Sequence, residues 1–263
     1  MSGFRFKVSG LHLLASASTL FLIIGVLYLG WYAWPGWYLM GADNLVGILV
    51  LVDVGLGPLA TLVVSSPAKS RQELRRDIAM IVLVQMIALG YGVGTLWTGR
   101  PLFYAFSLDR IEVVPAAAFD EQALEKARQL KAAIMPSWSS LPQWIWAPLP
   151  DDPEERKSII AKAVWGEADV VSMPQYFRPY KDAVTAMQER YLPTQVLMFG
   201  GHGLSEVDYQ AEITRLGRSE AELGVLPVQG RSKDGAWIFD RTSGKPLVFY
   251  PVEVWGAKQK IKQ

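Results

Sequence analysis

The chain of 263 residues contains no cysteine and only two histidines, His12 and His202. Disulfides, thiolate catalysis and cysteine-ligated metals are therefore excluded, and so is a metal site built from several histidines. Walker, HExxH and GxSxG patterns are absent, as are glycine-rich phosphate loops. Nothing in the sequence requires an enzyme or a cofactor, and we expect neither.

An excess of charge of one sign is also missing. The 26 basic and 25 acidic residues leave a formal net charge of +1. This balance predicts neither nucleic-acid binding nor an acidic partner.

Three long apolar runs occupy the first hundred residues, at positions 11–34, 44–64 and 78–97. Each has about the ~20 residues that are needed to cross ~30 Å of hydrocarbon. We therefore expect a membrane unit of three transmembrane helices in residues 1–98. The first run is longer than the usual h-region of a signal peptide and has no A-x-A site after it, which favours an uncleaved anchor.

Basic residues indicate the orientation of these helices. Arg5 and Lys7 precede the first run, and Lys69, Arg71, Arg75 and Arg76 separate the second from the third, whereas residues 35–43 contain no lysine or arginine. Because positive charge concentrates in short cytoplasmic loops, the amino terminus should be cytoplasmic. Three crossings then place residues 99–263 in the periplasm of a bacterium, and the protein in its inner membrane.

Residues 99–263 predict a mixed α/β domain. Positions 102–114 read as a strand pair or one long bent strand, and three short runs near the end read as an antiparallel meander. The helical spacing of apolar residues and the capping residues predict the intervening helices, with Asp120, Asp152 and Ser205 as N-caps. The predicted helices are 119–134, 153–166 (with the apolar set Ile159, Ile160, Ala163 and Val164), 179–191 (with Ala183, Val184 and Met187 facing inward) and 205–217, and the meander strands are 225–229, 236–241 and 246–251. Two further segments are predicted to be an ordered, proline-rich surface loop, 135–152, and a strand, 196–199.

Asp53 lies near the middle of the second apolar run, where an ionisable group is costly and usually faces other helices. Gly55 and Gly57 follow it and permit close helix approach, and Gln85 lies at comparable depth on the third run. The residues predict either a polar site that receives another transmembrane helix or relays a proton, or an internal hydrogen bond that involves Asp53. The internal partner would be Gln85 or a hydroxyl of the first run, such as Ser16, Ser18 or Thr19.

Gly90 and Gly94 form a GxxxG pattern in the third run. Such small-residue faces pack helices closely, either within one protein or against a partner. The pattern is common in apolar helices and leaves both interpretations open.

Trp138, Trp144 and Trp146 crowd the proline-rich segment of the exported domain. Aromatic residues of this kind dominate binding surfaces, but they also anchor loops over a core. His202 follows two glycines and precedes Gly203, which favours a histidine in a turn over a catalytic base, because no serine, cysteine or acid is tied to it by a recognised spacing.

Several motifs together resemble the type IV pilin accessory proteins of the TfpX, TfpZ and FimB kind. They are SRQELRRD at 70–77, GRP at 99–101, FSLDRIEVV at 106–114, MPQYFRPY at 173–180 and WIFDRTSGKP at 237–246. The resemblance covers most of the chain. It implies a non-enzymatic inner-membrane protein that assists a particular major pilin in pilus assembly, as a chaperone or a modulator of assembly or retraction.

The resemblance also implies a partner with two parts, since pilins carry one hydrophobic helix with a carboxylate near its start and a globular periplasmic head. We expect the small-residue faces to pack on the pilin helix and the exported domain to contact the head. The expected helix contacts are Asp53, Gly55, Gly57, Gln85, Gly90 and Gly94, and the expected head contacts are Trp138, Trp144 and Trp146. Other type IV pilus machinery is a possible additional partner.

Two other classes remain open. One is an envelope scaffold or sensor that binds peptidoglycan or secretion machinery through the tryptophan segment. The other is a pilin-modifying enzyme, which would need a pocket of convergent polar groups around His202, Asp109 or Arg178.

Overall fold

A computed structural model of the chain describes residues 2–137, 139–167, 169–199 and 202–255. They divide into two compact units. The first contains the chain up to Trp37 together with Gly41–Arg100, and the second contains Tyr38–Met40 together with the chain from Pro101. The second unit is therefore discontinuous in sequence, because three residues of an early loop belong to it.

Within the described residues, three helices are long and apolar enough to cross a membrane: Gly3–Tyr32, Ala42–Val64 and Arg71–Gly99. We refer to them as the first, second and third long helices. They contain 30, 23 and 29 residues, and about 20 residues suffice for a crossing. The transmembrane part of the predicted fold is thus confirmed. The helical elements up to residue 100 are α1 (Ser2–Leu27) continued by the π-helix Tyr28–Tyr32, α2 (Gly36–Met40), α3 (Ala42–Leu49) continued by the π-helix Val50–Leu56, α4 (Gly57–Val64) and α5 (Arg71–Gly99).

The third long helix begins at Arg71, well before the apolar run that starts at Ile78. A capping box explains the earlier start: Ser70 Oγ accepts a hydrogen bond from the Glu73 N–H at 3.2 Å, and Glu73 Oε2 accepts one from the Ser70 N–H at 2.8 Å. Hydropathy detects only the apolar part of a helix, whereas capping also stabilises its charged first turn.

The second unit combines a sheet with short helices, as predicted. Its strands are β1 (Pro101–Ser107), β2 (Arg110–Pro115), β3 (Gln143–Trp146), β4 (Arg178–Pro179), β5 (Leu223–Gln229), β6 (Gly235–Asp240) and β7 (Pro246–Tyr250). Its α-helices are α6 (Glu121–Gln129), α7 (Pro153–Val164), α8 (Val184–Gln188), α9 (Val196–Phe199) and α10 (Glu206–Leu216), and its short 3-10 turns include Val170–Ser172, Pro174–Tyr176 and Tyr180–Ala183.

In the part of the chain that the structure describes, seven strands form one sheet in the order β4-β3-β1-β2-β5-β6-β7. β1 and β2 form an antiparallel hairpin with Ser107 opposite Arg110, and β5, β6 and β7 form an antiparallel meander. The meander was predicted and is confirmed, and of the two alternatives for residues 102–114 the strand pair is correct and the single bent strand is wrong. β3 pairs with β1, and β5 with β2, in parallel, so the sheet is mixed.

The prediction of a loop over residues 135–152 is wrong for Gln143–Trp146, which form the strand β3. This strand pairs with β1 and places Trp144 opposite Tyr104. Pro142 and Pro148 lie outside the strand, one before and one after it. Proline removes a ladder hydrogen bond only where it occurs, so prolines flanking a four-residue strand do not prevent it.

Two further predictions of secondary structure also need correction. Residues 196–199 form α9 and not a strand, because a run of four apolar residues has no periodicity that separates the two. The helix predicted for 179–191 is a 3-10 turn followed by the five-residue α8.

The predicted N-caps are confirmed. Asp120 Oδ1 accepts from the Ala123 N–H at 2.6 Å, and Asp152 Oδ2 accepts from the Glu155 N–H at 2.8 Å. Ser205 Oγ accepts from the N–H at position 208 at 3.2 Å. These side chains satisfy N–H groups that have no partner within the helix.

The apolar residues of α7 are unequally buried. Ile159 is 4% exposed, but Ile160 is 45% exposed and Val164 is 78% exposed. Ala163 is half-buried. The helix therefore buries Ile159 against the domain, whereas Ile160 and Val164 face outward.

Each face of the sheet has its own packing, since successive side chains of a strand point to opposite faces. On one face, Val225 of β5 and Ile238 of β6 pack with Val196 and Leu197 of α9. On the other face, aromatic rings of β1, β3 and β6 contact one another. The first layer is buried, and in the second Tyr104 is buried whereas Trp144 and Trp237 are half-buried. Together they give the unit a core without disulfides.

Leu39 belongs to this core although it precedes the second long helix. Its side chain has no exposed surface, and its backbone oxygen accepts hydrogen bonds from the N–H groups of Ser232 at 3.0 Å and Lys233 at 3.3 Å. An added Cβ at Gly230 would lie 2.4 Å from the same oxygen. Leu39 is thus held by both its side chain and its backbone.

Candidate functional site

A buried carboxylate lies at the centre of the second long helix. Asp53 is the middle residue of Ala42–Val64 and is only 4% exposed. It belongs to the π-helix Val50–Leu56, which separates α3 from α4. Short π-helical segments widen a helix locally and are frequent at functional sites.

Gln85 of the third long helix is the hydrogen-bond partner of Asp53. Its Nε2 donates to the Asp53 backbone oxygen at 3.1 Å and lies 3.4 Å from Asp53 Oδ1. The internal hydrogen bond that the sequence predicted is therefore confirmed. Of the alternative partners, Ser16 and Thr19 are nearby, because they line the same cavity as Asp53.

Gly57 makes room for the Gln85 amide. An added Cβ at this position would lie 2.0 Å from Gln85 Nε2 and 2.3 Å from its Cδ. The absence of a side chain at position 57 therefore serves packing inside the unit. It is one of the residues that we expected to contact a partner, and the structure places it against Gln85.

Two hydrogen bonds connect the first long helix to the second. Ser9 Oγ donates to the Pro58 backbone oxygen at 2.8 Å, and His12 Nδ1 lies 2.6 Å from Thr61 Oγ1. Sequence reasoning did not find His12 or Thr61. The signal was present, since His12, Ser16 and Thr19 recur at spacings of four and three, which is one face of a helix.

A cavity of about 160 Å³ lies beside Asp53. Its walls come from the first and third long helices, and Asp53 is the lining residue that belongs to the second. Its lining residues are His12, Ala15, Ser16, Thr19, Leu20, Asp53, Val82, Gln85, Met86 and Leu89.

The cavity opens on the side of the helix bundle. Val82 and Met86 are 39% and 56% exposed, and Ala15 and Thr19 are exposed as well. These residues lie along the middle of their helices, away from the ends. In a membrane, the opening would therefore face the hydrocarbon.

Two acceptor atoms remain unsatisfied at this cavity. Asp53 Oδ2 and Gln85 Oε1 are buried, and neither has a hydrogen-bond partner among the described residues. A buried polar atom without a partner costs about 1–3 kcal/mol. Such atoms call for an explanation in a native fold.

The remaining glycines predicted to contact a partner helix lie elsewhere. Gly90 and Gly94 are exposed, and an added Cβ at either would have no atom within 4 Å. Gly92, between them, faces inward, where a Cβ would lie 2.5 Å from Leu49 Cδ2. Gly55 is also exposed. The predicted set therefore divides into an interior group around Asp53 and an outward group.

The tryptophans predicted to contact a pilin head lie in or near β3. Trp144 is half-buried, with its ring 5.1 Å from that of Tyr104 and 4.8 Å from that of Trp237. Trp146 is half-buried and shares its face of the strand with Trp144 because of the two-residue period. Trp138 lies outside the described residues.

The residues considered for catalysis are not brought together. His202 lines a polar cavity of about 320 Å³ that also includes Arg231 and Lys233. Asp109 lines a different one, of about 210 Å³, and forms an ion pair with Arg110 at 3.0 Å. Among the described residues, no group of three or more His, Asp or Glu side chains is placed to hold a metal ion.

Glu112 is an unusual carboxylate that the sequence did not indicate. It lies on β2, opposite Ala105 of β1 and Gln229 of β5. Burial raises the pKa of Glu112 to about 7, and the nearby carboxylate of Asp169 acts in the same direction. The guanidinium of Arg110 opposes them with a smaller effect.

The sequence is similar to three curated proteins of Dichelobacter nodosus. It is 28% identical to the fimbrial assembly protein of serogroup I and 26% identical to that of serogroup E1, each over 248 residues, which are 90% of this chain and 91% of each relative. It is 33% identical to the fimbrial assembly protein of serogroups C1 and C2 over 111 residues, which are 42% of this chain and 85% of that relative. No family model and no solved structure matches the chain.

Proposed function

Because the chain belongs to the family of type IV fimbrial assembly proteins, we propose that it is an inner-membrane accessory factor that assists the assembly of a cognate major pilin. The family predicted from the sequence is confirmed by these relatives. The observation that carries the proposal is the alignment with two of them over 90% of the chain. It includes both the helical unit and the domain that follows it.

The proposed localisation is the inner membrane, with the second unit in the periplasm. Tyr38–Met40 and the chain from Pro101 belong to one compact unit. This shared unit supports a position of the loop after the first long helix and the domain after the third on the same side of a membrane. The loop between the second and third helices carries Lys69, Arg71, Arg75 and Arg76, and the concentration of positive charge supports a cytoplasmic position for it.

Single cysteines test this orientation, because the chain has no cysteine of its own. Ala68→Cys labels the basic loop, and Leu141→Cys labels an exposed position in the second unit. We expect a membrane-impermeant maleimide to modify the Leu141→Cys variant in intact spheroplasts and the Ala68→Cys variant only after lysis. The reverse pattern would contradict the proposed orientation.

We propose that the helical unit receives the pilin's membrane helix. The outward position of Gly90 and Gly94 supports this role, since nothing in the unit occupies the space beside them. Small residues allow two helix backbones to approach closely. The lateral opening beside Asp53 offers a second contact on the same unit.

The periplasmic domain would then contact the pilin head and provide specificity for it. Trp146 and the preceding segment from Ser139 are candidates for this surface, and Leu141 there is 56% exposed. Differences among heads would be distinguished by this domain. A chimera that carries only a relative's helical unit should therefore keep its pilin preference, and a switch in preference would contradict this division.

We also propose that the protein acts by binding and not by catalysis. The separation of His202 from Asp109, which line different cavities, supports this view. The His202→Ala variant should retain pilus assembly at the wild-type level. Loss of assembly by a stably folded His202→Ala protein would favour a pilin-modifying enzyme.

Photo-crosslinking in intact cells tests the proposed partner. Probes at Tyr91, Met86 and Leu141 sample the glycine face, the opening beside Asp53 and the domain surface, and all three positions are exposed. A probe at Phe21, which is 77% exposed on the first long helix, is the control. We expect crosslinks to the major pilin from the three test positions and few from Phe21.

Crosslinks to cell-wall or secretion components in place of pilin would favour the envelope scaffold. Absence of pilin adducts from every test position, with pilin abundant in the same membranes, would overturn the proposed function.

A further inference from the structure

The polar cavity of about 320 Å³ in the second unit presents charges of both signs. Arg231 and Lys233 line it together with the carboxylates of Asp234 and Glu253. An anion alone would be opposed by the two carboxylates, and a cation alone by the two basic side chains. The lining therefore suits a ligand that carries a positive and a negative group.

Two of these four side chains are available to a ligand. Arg231 and Glu253 are exposed, and neither side chain has a hydrogen-bond or ion-pair partner among the described residues. Asp234, in contrast, is held in place. Its Oδ1 accepts from the Gly230 N–H at 3.2 Å, and its Oδ2 accepts from Trp255 Nε1 at 2.8 Å. The cavity thus combines a fixed carboxylate with two side chains that can turn toward a bound group.

The chain holds this cavity close to a membrane surface. The backbone oxygen of Leu39 accepts from the N–H groups of Ser232 and Lys233, and Tyr38 is itself a lining residue. Leu39 is only three residues before Ala42, where the second long helix begins, and three residues span at most about 11 Å. The headgroup layer of a bilayer extends about 5–8 Å beyond the hydrocarbon. Lipid headgroups are therefore within reach of the cavity.

The donors and acceptors of the lining indicate the two groups of the ligand. Arg231 and Lys233 supply charged N–H donors and Ser232 supplies a hydroxyl, a combination that binds phosphate. The carboxylate of Glu253 only accepts, so a positive group with N–H donors binds it most strongly. A quaternary ammonium has no such donors and is usually held by aromatic rings. The ring of Tyr38 already has Lys233 Nζ at 5.0 Å from its centroid, so a primary ammonium fits the lining better.

We propose that this cavity binds the phosphoethanolamine headgroup of a membrane lipid. The phosphate accepts hydrogen bonds from the side chains of residues 231–233, and the primary ammonium donates to Glu253. The inference goes beyond the proposed function, because its ligand is a lipid and not a pilin, and it requires only that the three long helices lie in a membrane. A lipid bound there would anchor the loop between the first and second long helices to the membrane surface.

Native mass spectrometry of the full-length protein in detergent tests the assignment. The protein is titrated with phosphatidylethanolamine, phosphatidylcholine and phosphatidylglycerol that carry identical acyl chains, and the dissociation constant of the first bound lipid is measured for each. Phosphatidylcholine has methyl groups in place of the N–H donors, and phosphatidylglycerol lacks the positive charge. We expect phosphatidylethanolamine to bind about tenfold more tightly than either of the others.

Two variants should change the binding in different ways. Glu253→Gln should bring the affinity for phosphatidylethanolamine to that for phosphatidylcholine, because this carboxylate contacts only the ammonium. Arg231→Gln should weaken the binding of all three lipids by about tenfold, because they share the phosphate. Glu121→Gln and Arg128→Gln, at two exposed residues of α6, are the matched controls and should bind all three lipids as the wild type does.

Soluble O-phosphoethanolamine distinguishes a lipid headgroup from a free ligand. It should bind at least about tenfold more weakly than the lipid, because the micelle that surrounds the long helices concentrates the acyl chains beside the cavity. A free compound that binds as tightly as the lipid would assign the cavity to a soluble ligand and reject the proposal.

Equal binding of the three lipids by the wild-type protein would overturn the inference, and this comparison does not depend on the folding of any variant. Tighter binding of phosphatidylglycerol would also overturn it and would indicate a simple anion site. So would a preference for phosphatidylethanolamine that survives Glu253→Gln. None of these results bears on pilin crosslinks, which test the proposed function separately.

Discussion

The side-chain amide of Gln85 donates to the backbone oxygen of Asp53 at 3.1 Å and occupies the space that a side chain at position 57 would need. The hydrogen bond therefore depends on a glycine one helical turn after the carboxylate. This arrangement couples the second long helix to the third at the depth of the cavity. Its disruption should affect both the stability of the unit and the geometry of the candidate site.

Gly57→Ala should destabilise the helical unit by about 1–3 kcal/mol, because the new methyl group displaces the Gln85 amide from Asp53. Thermal unfolding in detergent micelles measures the effect. Gly90→Ala is the control, since alanine gains about 0.5–1 kcal/mol in helix propensity at either position but finds open space at 90. Equal stability of the two variants would contradict the packing of Gln85 against Gly57.

Leu39→Ala should destabilise the second unit by about 2–5 kcal/mol, which is the usual cost of emptying a buried leucine site. Leu39 has no exposed surface, whereas Leu141 is 56% exposed, so Leu141→Ala is the matched control. Unfolding followed by tryptophan fluorescence in the full-length protein distinguishes them. A Leu39→Ala protein as stable as the control would contradict the assignment of this loop to the core.

Glu112 should make the second unit less stable as the pH rises from about 4.5 to about 7. Its pKa is raised from 4.5 to about 7 by burial and by Asp169, so in this range the folded state holds a proton that the unfolded state has lost. The unfolding free energy therefore falls with increasing pH, and it levels off once both states are ionised.

The Glu112→Gln variant removes this dependence. We expect it to be more stable than the wild type at pH 8 and to lose that advantage below pH 4.5, as measured by thermal unfolding across the range. Glu189→Gln, at an exposed carboxylate, controls for the loss of one negative charge. A constant difference between wild type and Glu112→Gln at every pH would contradict the raised pKa.

Adjacent isoleucines on α7 should respond differently to the same substitution. Ile159→Ala should cost about 2–5 kcal/mol, because the side chain is buried. Ile160→Ala should cost less than about 1 kcal/mol, since this residue is 45% exposed and surface changes are usually small. Chemical denaturation of the two variants provides the measurement. Equal losses would contradict the difference in burial between the two residues.

The sequence predicted those features that depend on local signals. A long apolar run is enough to indicate a membrane helix, and the caps at Asp120, Asp152 and Ser205 depend on residues within one turn. The hydrogen bond between Asp53 and Gln85 was also accessible, because two polar side chains at similar depth in apolar helices have few other partners. Each of these conclusions needed only the residues themselves and an approximate register.

Features that depend on distant parts of the chain were missed. β3 is stabilised by pairing with β1, and no local property of residues 143–146 reveals that neighbour. The outward position of Ile160 is set by how little of α7 the domain covers. Gly57 was interpreted as a surface for a partner, since the sequence does not show which side chain lies opposite a glycine. The contact between His12 and Thr61 was missed because the sequence does not show that the first and second long helices lie side by side.

The inclusion of Leu39 in the second unit has a consequence for how the protein is made. The ribosome completes this residue before the second and third long helices exist, and residues 230–233, which contact its backbone, come much later. In the proposed orientation, the loop crosses to the periplasmic side of the bilayer and remains there until the rest of the domain emerges. A fragment beginning at Pro101 would lack residues 38–40 of its own unit, so synthesis as one polypeptide is a condition for completing the fold.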